Sequence, residues 1–153
     1  MSETSAPAAP ATRNLDYTAA FLLLRLFLGL RTFLAGLEKF EAGGKYSFEN
    51  YYTNMARMAA GITGASFLPL WLTKTFAMSL GYLLLVFGTL LLLGVKTRCT
   101  LILTGLLYVG LSFGLMAVQE AEGVAWLGMH LVMFAGALVL VRHNRFALWA
   151  DKN

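Results

Sequence analysis

Long apolar runs separated by short polar breaks set the pattern of this chain. A hydrocarbon core of about 30 Å needs about 20 helical residues at 1.5 Å each. Four stretches approach or reach that length: about Tyr17–Leu37, Phe76–Val95, Thr100–Val118 and Ala125–Val141. Lys96-Thr97-Arg98 joins the second span to the third, and Gln119 to Gly123 joins the third to the fourth. Breaks this short force antiparallel neighbours.

The one long connection lies between the first two spans and has a pattern of its own. Ser47 is placed to cap a helix from Phe48 to about Ala60, with Glu49 near its positive end and Gly61 and Gly64 past its finish. Phe48, Tyr52, Met55 and Ala59 recur at helical spacing. That stripe predicts a helix lying flat at the interface, with Phe67-Leu68-Pro69-Leu70-Trp71 re-entering the second span and tryptophan at headgroup depth. The expected fold is therefore all-α, an integral membrane up-down four-helix bundle with a short interfacial helix in the first, outer loop. Residues 1–16, rich in Ala, Pro, Ser and Thr, read as a disordered cytoplasmic tail, 17–149 as the four-helix transmembrane domain and 150–153 as a C-terminal end.

Composition agrees with a membrane location. The chain is 58% hydrophobic and 13% charged, with mean hydropathy +0.67, against about 45–50% and 25% in soluble domains. The net charge of +4 flanks or interrupts apolar spans instead of forming a patch, which suits an anionic lipid face better than nucleic acid. Arg13, Lys96, Arg98, Arg142, Arg145 and Lys152 fall on one side and Lys39, Lys45, Arg57 and Lys74 on the long loop of the other. By the positive-inside rule both termini are expected in the cytoplasm, the protein being multi-pass in the cell inner (plasma) membrane. Residues 142–153 form a short interfacial end anchored by Phe146 and Trp149. A lone cysteine, Cys99, closes no internal disulfide and leaves no dithiol. No metal-ligand spacing, phosphate loop or nucleophile triad is present.

Charge inside the spans carries the candidate chemistry, because each such charge costs roughly 2.5–3.5 kcal/mol on insertion scales. At 100° per residue, Arg25, Gly29, Thr32, Gly36 and Lys39 share one line of the first helix and must face the bundle. Arg25 is expected near mid-membrane, either tied structurally to helix carbonyls or a tyrosine, or lining a site for an anionic or quinone-like ligand. Arg31 lies on another face with Ala35 and Glu38, near enough to the surface to snorkel or to pair with Glu38. Tyr82 in the second span and Tyr108 in the third are either interhelical glue or, converging on the Arg25 stripe, walls of a polar pocket. His130 is the single histidine inside a span and suits an interhelical contact, a proton relay or a quinone hydrogen bond. His143 lies 13 residues further on, about 20 Å along a helix, so the pair excludes bis-histidine haem within the chain.

With those residues in view, the chain resembles the DoxX-like membrane proteins, which include DoxD, the small subunit of thiosulfate:quinone oxidoreductase. The resemblance rests on RLFLGLRTFLAGLEKF (Arg25 to Phe40), on the Phe67-Leu68-Pro69 turn and on GTLLLLGVKTR (Gly88 to Arg98), and it covers about Ala20 to Trp149. It implies a four-helix bundle working beside a redox partner, with links to quinone reduction or to sulfur and oxidative-stress metabolism. Arg25, Gly29, Gly36, Lys39, Gly94, Thr97 and Arg98 look like its repeated motif positions. Many members carry an acid where this chain has Leu84, so Arg25 needs another partner here.

These readings combine into an accessory or quinone-interacting subunit of a membrane redox system. Arg25, Lys39, Tyr82, Tyr108 and His130 would shape its pocket, and Arg31, Glu38 and Arg98 are secondary candidates. Expected partners are the lipid bilayer, a redox subunit and a second copy of the chain, with no nucleic acid, no metal and no covalent cofactor. The alternative is a non-catalytic scaffold or small transporter whose arginines hold helices together.

Overall fold

The computed structural model describes residues 10–149. Five helices follow in order: α1 (Pro10–Glu38), α2 (Phe48–Ala65), α3 (Leu70–Leu93), α4 (Thr97–Ala117) and α5 (Ala121–Leu140). A two-residue hairpin of β1 (Glu41–Ala42) and β2 (Lys45–Tyr46) links α1 to α2, and a single 3-10 turn, Val141–His143, ends α5. Four of the helices are long and apolar enough to cross a bilayer, and the protein is a multi-pass membrane bundle. α1 already runs from Pro10, so 10–16 of the expected tail are helical; 1–9 and 150–153 lie outside the described residues.

Small residues set the closest helix pairing. α1 and α3 run antiparallel, with Gly29 against Leu92, Gly88 against the Phe33 backbone and Gly36 against Leu85. A Cβ at Gly36 would stand 2.9 Å from the Leu85 backbone nitrogen. Lipid tails are as apolar as leucine, so helices in a bilayer gain little from burying more leucine and rely on this kind of close backbone approach. The main core gathers Phe21 and Leu28 of α1, Leu80, Leu84 and Leu91 of α3, Leu101, Leu107 and Tyr108 of α4 and Phe134 and Ala137 of α5.

α2 departs from the flat placement expected of it. It climbs antiparallel along the N-terminal half of α3, from Tyr51 against Gly81 to a Thr63–Thr73 hydroxyl contact of 2.7 Å. The start is as the sequence predicts, with Ser47 Oγ accepting from the Asn50 amide at 3.0 Å. The buried stripe is different. Tyr51, Met55 and Ala59 are buried, whereas Phe48 and Tyr52 are exposed. Gly81 makes the difference, because the gap it leaves on α3 admits the Tyr51 ring, whose hydroxyl then donates to the Met78 carbonyl at 2.7 Å. Phe40 stacks on the same ring at 4.4 Å between centroids. Burial pushes the Tyr51 phenol above its ordinary pKa.

α3 stops at Gly94, where φ is +71°. The Val95 amide donates to Leu90 O at 3.0 Å and the Gly94 amide to Leu91 O at 3.2 Å, the paired bonds of a left-handed helix end that favours glycine. Across this turn runs the chain end. Leu148 N donates to Leu93 O, Trp149 N to Gly94 O and Lys96 N to Trp149 O, so 148–149 lie beside the turn as a short parallel bridge.

Candidate functional site

Two polar sites occupy opposite ends of the bundle, and the sequence candidates divide between them. The first is built around Arg25. α1 overshoots the end of α3, so a residue in the middle of α1 stands level with the α3–α4 turn and not at the bundle centre. Arg25 is 4% exposed, and its Nη1 donates to Asn144 Oδ1 at 2.9 Å and to the Phe146 carbonyl at 2.6 Å. Asn144 Nδ2 in turn donates to Thr97 Oγ1 at 2.8 Å. Gly94 closes the site from the other side, where a Cβ would come 2.6 Å from Nη1. Arg25 Nε has no partner among the described residues. The partner required by Leu84 is therefore a pair of neutral oxygens on the C-terminal strap. Leu84 lies ten residues from Gly94, about 15 Å along α3, so a carboxylate there would not reach Arg25.

The second site is a cavity of about 520 Å³ between the α1/α3 and α4/α5 pairs at the end where α2 joins them. That volume falls within the roughly 300–1,000 Å³ usual for small-molecule sites. Its walls are mainly apolar, among them Leu80, Leu84, Leu111, Phe113 and Trp126, and Arg31, Glu38, Lys39, Tyr108 and His130 add polar groups. Arg31 and Glu38, two turns apart on α1, pair at 3.5 Å with both side chains partly exposed. The Tyr108 hydroxyl meets Thr32 Oγ1 at 3.3 Å in a buried contact. His130 packs between Tyr108, at 5.7 Å between ring centroids, and Phe27, at 6.3 Å and nearly parallel. Its Nδ1 lies 2.7 Å from the Trp126 carbonyl one turn earlier.

The structure thus brings Lys39, Tyr108, His130, Arg31 and Glu38 to one cavity and leaves three candidates elsewhere. Arg25 is at the opposite end, and the convergence of tyrosines on it does not occur. Tyr82 lies outside the cavity lining, T-stacked on Phe40 at 5.7 Å and against Tyr51 at 4.9 Å. Arg98 sits in the first turn of α4, at the Arg25 end. Trp126, four residues before His130, was legible from helical spacing. Asn144 and the Phe146 carbonyl were not, because no periodicity links them to a residue 119 and 121 positions earlier.

The sequence model of the DoxX family matches residues 20–116. The chain belongs to the DoxX family. The match includes α1 from Ala20 onward, all of α2 and α3 and nearly all of α4, and so takes in most of the cavity wall; α5, which carries His130, lies beyond it. No curated protein and no solved structure matches the chain. Among the described residues no cluster of His, Cys, Asp or Glu is arranged to hold a metal ion.

Proposed function

We propose that this DoxX-family protein is an accessory, quinone-interacting subunit of a redox system in the cell inner membrane, with both termini cytoplasmic and a partner supplying the electron-transfer centre. The observation carrying this reading is the α2-end cavity, where apolar walls of isoprenoid-compatible character meet a histidine, a tyrosine and an ion pair. A quinone-type ring bound there supplies two-electron, two-proton chemistry. The chain's own residues hold and orient it. Trp126 and Leu111 exclude water, Phe27 and Tyr108 fix the His130 ring, and Arg31 with Glu38 keeps opposite charges together at the α1 wall.

The test is retention of decylubiquinone or a short-chain menaquinone by protein in lipid nanodiscs, quantified by mass spectrometry, with native spectra also reading bound partner and copy number. Retention by the wild type and its loss in Leu111→Trp, which fills the cavity, is the expected result. No retention by the wild type overturns the proposal. A second reading, a non-catalytic scaffold, is favoured by Arg25 itself, whose hydrogen bonds among the described residues go to the strap. It predicts that Arg25 variants lose thermal stability and that Leu111→Trp, which fills the cavity, leaves membrane redox activity unchanged.

A further inference from the structure

We infer that the cavity selects a ring bearing a hydroxyl donor, a hydroquinone or alkylphenol, over the corresponding carbonyl form, and that His130 Nε2 makes the selection. This rests on the cavity reading above and adds a preference for redox state. The other ring nitrogen fixes the tautomer. Nδ1 stands 2.7 Å from the Trp126 carbonyl, and a carbonyl oxygen only accepts, so Nδ1 carries the proton. In a neutral imidazole the remaining nitrogen is then an acceptor. The one hydrogen bond of the His130 side chain among the described residues is through Nδ1, which leaves Nε2 as the ring's free acceptor in a residue that lines the cavity. Phe27 and Tyr108 flank the ring, and the Nδ1 bond holds it to its own helix, so the acceptor is fixed in direction.

Three other polar groups of the wall already meet partners within the protein. Arg31 is answered by Glu38, the Tyr108 hydroxyl by Thr32 and Thr73 by Thr63 and the Leu70 carbonyl. Lys39, just past the end of α1, stands twelve residues beyond Phe27, about 18 Å at the helical rise, which is too far for one ring to bridge it and His130. A hydroxyl placed at His130 donates to Nε2. A carbonyl placed there sets lone pair against lone pair and leaves both acceptors unmatched.

The experiment compares decylubiquinol with decylubiquinone under anaerobic conditions, each titrated into nanodisc-embedded protein with Trp fluorescence and mass-spectrometric retention as readouts. The wild type is expected to bind the quinol about tenfold more tightly, the ratio set by one hydrogen bond left unmade. His130→Phe keeps the ring stack without the acceptor and should erase the ratio. His130→Gln, with an amide that both donates and accepts, should reduce it, and serves if the phenylalanine variant fails to fold. Equal binding of both forms, tighter quinone binding, or a ratio that survives His130→Phe each overturns the inference while the cavity reading stands. Retention of neither form by the wild type overturns both.

Discussion

Removing Asn144 should loosen the strap end of the molecule by an amount that the geometry specifies. Its side chain accepts from the Arg25 guanidinium at 2.9 Å and donates to Thr97 Oγ1 at 2.8 Å. A hydrogen bond to a charged group contributes roughly 1.5–3 kcal/mol and a neutral one about 0.5–1.5 kcal/mol. Asn144→Ala is thus expected to cost about 2–4 kcal/mol, because Arg25 stays buried with the Phe146 carbonyl as its one remaining acceptor among the described residues. At roughly 2–4 °C per kcal/mol for a chain of this size, Tm in detergent should fall by about 5–15 °C. Arg25→Met keeps an apolar stem and removes the charge, so adding Asn144→Ala to it should cost little more than the lost Thr97 bond. The double-mutant cycle should return a coupling of about 1.5–3 kcal/mol. Asn144→Asp, which sets a carboxylate beside the guanidinium, should hold Tm near or above the wild-type value. A Tm unchanged in Asn144→Ala, or strictly additive losses in the cycle, would refute the assignment of the strap as the arginine's partner.

Gly94→Ala places a Cβ at φ +71° and against Arg25 Nη1, so it should lower Tm by the equivalent of about 1–2 kcal/mol from the left-handed conformation alone; a neutral result would show the turn relaxing freely. Gly81→Leu fills the gap that takes the Tyr51 ring and should release α2 from α3, read as faster proteolysis within α2 while α1 and α3 remain protected. Burial raises the Tyr51 pKa in the fold, so the neutral phenol is the form the fold favours. The stability tied to it is complete below the ordinary tyrosine pKa of about 10 and is lost as pH rises past it. Tm measured from pH 8 to 11 should fall more steeply for the wild type than for Tyr51→Phe, and parallel curves would contradict this. Leu84→Glu introduces a carboxylate into the cavity wall and should weaken retention of decylubiquinone without rescuing Asn144→Ala, since position 84 is remote from Arg25.

The membrane class, the all-α fold, the tight α3–α4 and α4–α5 connections and the Ser47 start of α2 could all be read from the amino-acid sequence. Each follows from local rules, namely span length, helical period and capping chemistry, that act within a few residues. It also placed Arg25, Gly29, Thr32 and Gly36 on the buried face of α1, since a 3.6-residue period needs no partner to be seen. How far each helix slides past its neighbour emerged only in the folded bundle. The α1–α3 pairing at Gly29 and Leu92, together with the overshoot of α1, moved Arg25 from the expected pocket to the strap. The Gly81 gap turned α2 onto α3 and chose Tyr51 over Phe48 and Tyr52. Register between helices depends on which small residue meets which side chain across an interface. That is a relation between distant positions, and no period within one helix contains it.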